Sequence, residues 1–139
     1  MNIPELQTIE DADFLITKLE NLKGELYKSN QIKIETLDLP VLVKEELLKD
    51  NSLEEIVKKI EYILDAIKKT PIIRIILSIT PNKTLEQQIV EKLRDLAKKT
   101  VFVKIEVNPF VVSGAIVEYD GKYLDYSISK KINELIKNE

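Results

Sequence analysis

The chain has 139 residues, 44% of them hydrophobic and 32% charged, the balance of a folded, charge-rich protein rather than a disordered one. Its net charge of −3 offers no electrostatic footprint for nucleic acid or an anionic membrane. Cysteine and histidine are both absent, which removes disulfides, thiol catalysis, the usual general acid/base near neutral pH and the commonest metal ligand; the composition points to no metal, no cofactor and no enzyme.

Residues 8–27 read as a helix, because Leu15, Leu19, Leu22 and Leu26 recur at helical spacing and form one apolar stripe. Asp11 and Asp13 suit the positive end of its dipole, and Gly24 weakens it near its end. The stretch 31–37, with Ile32 and Ile34 alternating with polar residues, fits a short strand, a helix or a loop equally. Asp38 is expected to cap a second helix with Pro40 in its first turn and Leu42, Val43, Leu47 and Leu48 on its buried face. Ser52 followed by Glu55 matches a capping box. Leu53, Ile56, Ile60, Ile63 and Ile67 then form an amphipathic stripe, widened by Val57 and Leu64, that runs to Thr70 before Pro71. That stripe suits either the protein's own small bundle or a seam for a partner helix.

The texture changes at Pro71. Residues 72–79 are a β-branched run typical of a strand buried on both faces, too short and too interrupted by Arg74 to span a bilayer, which needs about 20 apolar residues. The first residues, Asn2, Ile3, Pro4 and Glu5, lack the pattern of a signal peptide, so any membrane association is expected to run through a partner chain. Thr84 and Gln87 give a second capping-box signature for a helix with Leu85, Ile89, Val90, Leu93, Leu96 and Ala97 on one face, ending in Lys98 and Lys99. Val101, Val103, Ile105 and Val107 alternate with polar or outward positions as a strand, which Asn108 and Pro109 break. Ala115, Val117 and Tyr119 mark a third strand. Asp120-Gly121 is a type I′ hairpin turn, and residues 122–124 begin the return strand. Ser127 is expected to cap a last helix carrying Ile128, Ile132, Leu135 and Ile136 on one side.

The expected fold class is therefore α+β. A small bundle of about three helices in residues 1–70 precedes a small mixed sheet in residues 71–139, ordered β-α-β-β-β-α, with helices on one side.

From Val107 onward the sequence resembles the delta subunit of F-type ATP synthases, called OSCP in mitochondria. That family ends in a valine strand, an Asp-Pro-x-Leu-Ile-Gly-Gly turn, a valine-rich strand, Gly-Asp, an Ile-Asp-Gly-Ser step and a closing helix. Here Asn108 and Pro109 open the turn and Ser113-Gly114 stands for Gly-Gly; Asp120-Gly121 replaces Gly-Asp, and Asp125-Tyr126-Ser127 replaces Asp-Gly-Ser. Lys130, Lys131 and Ile132 sit where the family has basic residues and leucine. The roles implied are structural: Gly114 for close backbone approach at a strand start, Asp125 and Ser127 for the strand-to-helix step. The resemblance covers about half the chain, while residues 1–70 are short for the family's helical bundle and carry no motif match.

The resemblance implies a non-catalytic stator, or peripheral stalk, subunit of a proton-translocating ATP synthase, linking the catalytic head to subunit b. Its partners would be the C-terminal end of subunit b and the alpha-subunit N-termini, with no nucleic acid and no direct membrane insertion. It would be cytoplasmic, peripheral on the inner face of the cell membrane through the complex. Two alternatives share the C-terminal fold. One is an E-like stalk protein of the V/A-type ATPases, which needs a long continuous N-terminal helix that Pro40 and Asp50-Asn51 argue against. The other is a protein-binding module serving another complex. An enzyme reading rests on Glu106, Glu118, Asp120 and Asp125, with Glu106 and Glu118 on neighbouring strands where they can face one another; no phosphate loop, nucleophile elbow or metal-ligand spacing accompanies them. Lysine pairs such as Lys58-Lys59 and Lys98-Lys99 are interleaved with acids and read as solvated faces.

Overall fold

A computed structural model describes residues 3, 5–28, 33–49, 52–111, 115–119, 122–123 and 126–137, and among them the fold is α+β. By their contacts the residues fall into two compact units: Met1–Leu6 with Glu10–Lys69, and Gln7–Ile9 with Thr70–Glu139.

The first unit is helical. Helix α1 (Ile9–Lys28) buries Ala12, Leu15, Leu19, Leu22 and Leu26, the leucine stripe expected from their spacing, and carries Glu10 and Asp11 in its first turn. In the ambiguous stretch, a single 3-10 turn forms at Ile34–Thr36, with Ile34 buried; Ile32 lies outside the described residues. Helix α2 (Val41–Leu48) takes Pro40 as its N-cap with no side-chain cap, so Asp38 does not fill the role its position suggests. The Asp38 carboxylate accepts from Lys18 Nζ instead, at 2.8 Å. The expected four-residue face is also narrower. Val43 and Leu47 are fully buried, whereas Leu42 and Leu48 remain 39% and 49% exposed. At 100° per residue these two stand roughly 120° to either side of the Val43–Leu47 line. Helix α3 (Leu53–Lys69) opens as expected, with Glu55 N–H donating to Ser52 Oγ at 3.2 Å, and buries Val57, Ile60, Ile63, Leu64 and Ile67.

The second unit is built on strand β1 (Ile72–Leu77) at the centre of a four-stranded sheet ordered β2-β1-β3-β4. Strand β2 (Phe102–Val107) pairs with it in parallel, and Ile75 lies opposite Ile105. Strand β3 (Ala115–Tyr119) pairs with its other side antiparallel, and Ile75 lies opposite Val117. Strand β4 (Lys122–Tyr123) returns antiparallel beside β3. Gln7–Ile9 adds a short edge: Thr8 bridges to Val103 in parallel and Val103 N–H donates to the Gln7 carbonyl at 3.0 Å. These residues precede the helical part in sequence, where periodicity assigns them, yet they pair with the sheet.

Both helices of this unit cover one face of the sheet. Helix α4 (Lys83–Ala97) contributes Leu85, Ile89, Val90 and Leu93, and helix α5 (Tyr126–Lys137) contributes Ile132, against Ile73, Ile75, Leu77, Val103 and Val117. Burying each such aliphatic side chain contributes about 1.5–3 kcal/mol, so this layer rather than surface ion pairs stabilises the unit. The described helices of this unit cover one face, and β1 is not buried on both sides as its composition suggests. Ile73, Ile75 and Leu77 are buried, Arg74 and Ile76 are half-buried, and Ile72 is exposed.

Candidate functional site

The face of the sheet away from α4 and α5 carries Glu106 and Glu118, two of the carboxylates on which an enzyme reading would rest. Glu106 and Glu118 are not on neighbouring strands: β1 lies between β2 and β3, and its Arg74 joins them. Arg74 Nε donates to Glu106 Oε1 at 2.9 Å and Nη2 to Glu106 Oε2 at 2.6 Å, while Nη1 donates to Glu118 Oε2 at 3.1 Å. Lys104 Nζ stands 3.7 Å from Glu106 Oε1. The Arg74 hydrogen bonds hold the Glu106 carboxyl below its ordinary 4.5, against the smaller upward pull of desolvation. In return, the hydrogen bonds to Glu106 above all keep Arg74 further above its ordinary range. A carboxylic acid that donates protons near neutral pH needs its pKa moved upward, and Glu106 is moved downward. The group acts as an ionic clamp across three strands.

The turn after β2 is organised by Asn108. Its Oδ1 accepts from Phe110 N–H at 3.0 Å, its carbonyl accepts from Val111 N–H at 3.1 Å, and its own N–H donates to the Leu77 carbonyl at 2.8 Å. Pro109 occupies the second position of this turn, where its fixed φ suits the chain. An Asn or Asp is needed there because its side-chain oxygen takes the N–H two residues on, and the two residue types can exchange without changing the turn. Phe110, at the tip, is 89% exposed. Of the other motif positions, Ser113, Gly114, Asp120, Gly121 and Asp125 lie outside the described residues. Strands β3 and β4 pair Tyr119 with Lys122 around residues 120–121. Helix α5 begins at Tyr126, so Ser127 stands inside its first turn rather than at the cap.

In the helical unit, α1 and the segment leading into α2 border a groove of about 290 Å³. Phe14, Leu15, Leu39 and Val41 supply apolar walls, and Phe14 and Val41 are 63% and 60% exposed. Lys18 lies across it, its Nζ 4.3 Å from the Phe14 ring centroid and 2.8 Å from Asp38 Oδ2. The Lys18 hydrogen bond holds the exposed Asp38 carboxyl below its ordinary value. An apolar trough with a fixed charge pair on its rim suits the stripe of an amphipathic helix better than a small polar ligand.

The sequence profile of the ATP synthase delta (OSCP) subunit family matches residues 15–138. The chain belongs to that family. No individual protein of curated function matches this delta-family chain. The family match corrects the extent of the resemblance read from motifs alone, since it takes in α1, α2 and α3 as well as the α/β unit. In the helical half the sequence shows only leucine and isoleucine spacing, which many helical bundles share, so no motif marks the family there. Members of the family are structural subunits of the ATP synthase peripheral stalk, or stator, associated with the membrane through the complex. Among the described residues of this delta-family chain, no helix is long and apolar enough to cross a membrane. The longest described helix is α1, with 20 residues.

Three residues carry roles that the sequence alone does not reveal. Asn82 caps α4, its Oδ1 accepting from Leu85 N–H at 2.8 Å, where the spacing of Thr84 and Gln87 favours Thr84; Pro81-Asn82 reads only as a turn. Lys98 adopts a left-handed conformation, with φ 56°, to end that helix. Phe110 falls within a motif, and no signal in a single sequence marks its near-complete exposure.

Proposed function

We propose that this delta-family chain is a non-catalytic stator subunit of an F-type proton-translocating ATP synthase, joining the catalytic head to subunit b. The observation that carries the reading is the family match across residues 15–138, which spans both units. The helical unit serves as the head-side domain. Its Phe14–Val41 groove takes the alpha-subunit N-termini, whose docking needs an apolar trough of this kind. The α/β unit serves as the stalk-side domain and takes the C-terminal end of subunit b. Resisting rotor torque requires rigid binding rather than chemistry, and the Arg74 clamp on Glu106 and Glu118 supports that role. The protein sits on the inner face of the cell membrane, held there by the complex.

The test is co-purification. The full chain, tagged and expressed in its own host, is expected to bring down the alpha and b subunits together. Recovery of folded chain with neither of them would overturn the reading.

A further inference from the structure

The groove beside Phe14 does not end at Lys18. A second basin of about 220 Å³ follows it and shares Lys18, Asp38 and Leu39 with the first. One face of α1 lines both, with Asp11, Phe14, Leu15, Lys18, Leu22 and Glu25 at helical spacing. Asp11 and Glu25 mark the two ends, about 21 Å apart at about 1.5 Å per residue, and Lys18 stands midway. Leu15, Leu22 and Leu39 are buried beneath the trough, while Phe14 and Val41 are exposed along it.

The rim of this trough is acidic. Glu5, Asp11, Glu25 and Asp38 line the two basins, and Lys18 is the one basic residue among the described residues that do so. The chain as a whole is nearly balanced, with 24 acidic and 21 basic residues. Lys18 is itself held in a cation site: its Nζ donates to the Asp38 carbonyl at 2.7 Å and to Asp38 Oδ2 at 2.8 Å, and lies 4.3 Å from the Phe14 ring centroid. A carboxylate, a carbonyl and an aromatic face are the groups that would receive a cation from outside. Leu39 N–H donates to the Leu37 carbonyl at 3.0 Å and bends the chain at Asp38, which fixes that site before any partner arrives. The Asp38 side chain is 96% exposed, so its pair with Lys18 adds little to stability and a competing cation can replace it.

We propose that the two basins are one trough for an amphipathic helix with basic flanks, and that Lys18 holds the place of an incoming lysine or arginine. The inference rests on the reading of the groove as a helix-binding trough and adds to it the charge of the helix. A stripe of about four turns matches the apolar floor, and basic residues beside that stripe meet the acids of the rim. An acidic helix, a nucleic acid backbone or an anionic lipid surface meets like charge there instead.

The experiment is a fluorescence anisotropy titration of the full chain with two labelled designed peptides at physiological ionic strength. Both are about 18 residues long, enough to form a helix, and share one leucine stripe; the other positions are lysine in one peptide and glutamine in the other. The lysine peptide is expected to bind about tenfold or more tightly than the glutamine peptide, and Phe14→Ser should weaken both. The combined Glu5→Gln, Asp11→Asn and Glu25→Gln variant should weaken only the lysine peptide, again about tenfold. Glu54→Gln, Glu91→Gln and Glu134→Gln together change the net charge equally, away from the trough, and should leave binding as it is. Lys18→Met should raise affinity for the lysine peptide about threefold, whereas Lys58→Met, with the same change in net charge, should not. Circular dichroism and melting curves establish that each variant folds. Failure of the wild-type chain to bind either peptide, or binding indifferent to Phe14→Ser, refutes the helix-binding reading of the groove and the proposal with it. Equal binding of the two peptides, or equal losses in the two triple variants, refutes the charge selection alone. Unchanged or weaker lysine-peptide binding by Lys18→Met overturns the role given to Lys18.

Discussion

Arg74 and Glu106 meet through two parallel hydrogen bonds, 2.9 and 2.6 Å long, across neighbouring parallel strands. The residue directly opposite Arg74 on β2 is Lys104, a like charge; Glu106 is two positions further on. On its other side Arg74 faces Glu118 directly. The guanidinium fork therefore reaches diagonally to one carboxylate and straight across to the other, with opposite signs alternating across the sheet face.

The first prediction concerns pH. Glu106 has a folded pKa below its ordinary 4.5, so its stabilising contribution is complete above that value and is lost as pH falls through the depressed folded value. Arg74→Met removes the cause and leaves Glu106 and Glu118 repelling each other. The variant should be less stable than wild type at pH 7, and the difference should shrink on acidification below about pH 4.5, the ordinary carboxyl value. Urea unfolding at a series of pH values measures this; a constant gap from about pH 7 to about pH 3 would show the clamp to be energetically idle.

The second prediction concerns Asn108. Asn108→Ala removes the acceptor for Phe110 N–H at a partly solvated turn, which should cost roughly 0.5–1 kcal/mol. Asn108→Asp keeps an acceptor at the same place and should recover most of the loss. Equal destabilisation by both substitutions, in equilibrium denaturation, would remove the side-chain bond as the reason for this residue type.

The elements legible in the sequence are those whose periodicity matches a single buried face. The α1 leucines, the α3 stripe opened by Ser52 and the strand–helix–strand order after Pro71 follow directly from spacing. Sequence and structure part where local chemistry competes. Asp38 has the right residue type for a cap, but Lys18, distant in sequence, takes its carboxylate. Thr84 and Asn82 are both good caps two residues apart, and only the backbone conformation decides between them. The β1 run has the composition of a strand buried on both faces, because composition cannot say how many helices cover a sheet. Glu106 and Glu118 fall on consecutive long strands, but strand order is not sequence order, and the sheet threads β1 between them. The clamp that neutralises them is visible in the sequence only as one arginine interrupting an apolar run.

The third prediction separates the two candidate caps. Asn82→Ala removes the oxygen that takes Leu85 N–H and should cost about 1 kcal/mol. Asn82→Asp keeps such an oxygen and should be nearly neutral. Thr84→Ala, at an exposed position inside α4, should change stability by less than about 0.5 kcal/mol. Thermal melting of the three variants checks this, and a larger loss from Thr84→Ala than from Asn82→Ala would reverse the assignment.

The fourth prediction uses two substitutions in opposite chemical directions that should both stabilise. Lys98 holds φ 56° and ψ 32° at the end of α4, a conformation that costs an L-residue roughly 1–2 kcal/mol and glycine almost nothing. Lys98→Gly also loosens the unfolded chain, which subtracts roughly 0.5–1 kcal/mol, so the net gain should be about 0.5–1 kcal/mol. Gly24 sits in the opposite situation: it lies within α1, and an added Cβ meets nothing within 4 Å. Gly24→Ala should therefore gain roughly 0.5–1 kcal/mol from helix propensity and the stiffer unfolded chain, with the lower figure favoured so near the helix end. The two sites lie in different compact units, so their effects should add in the double variant. Denaturant unfolding of the singles and the double measures all three. Destabilisation by Lys98→Gly would mean that the lysine side chain, and not the backbone conformation, decides how α4 ends.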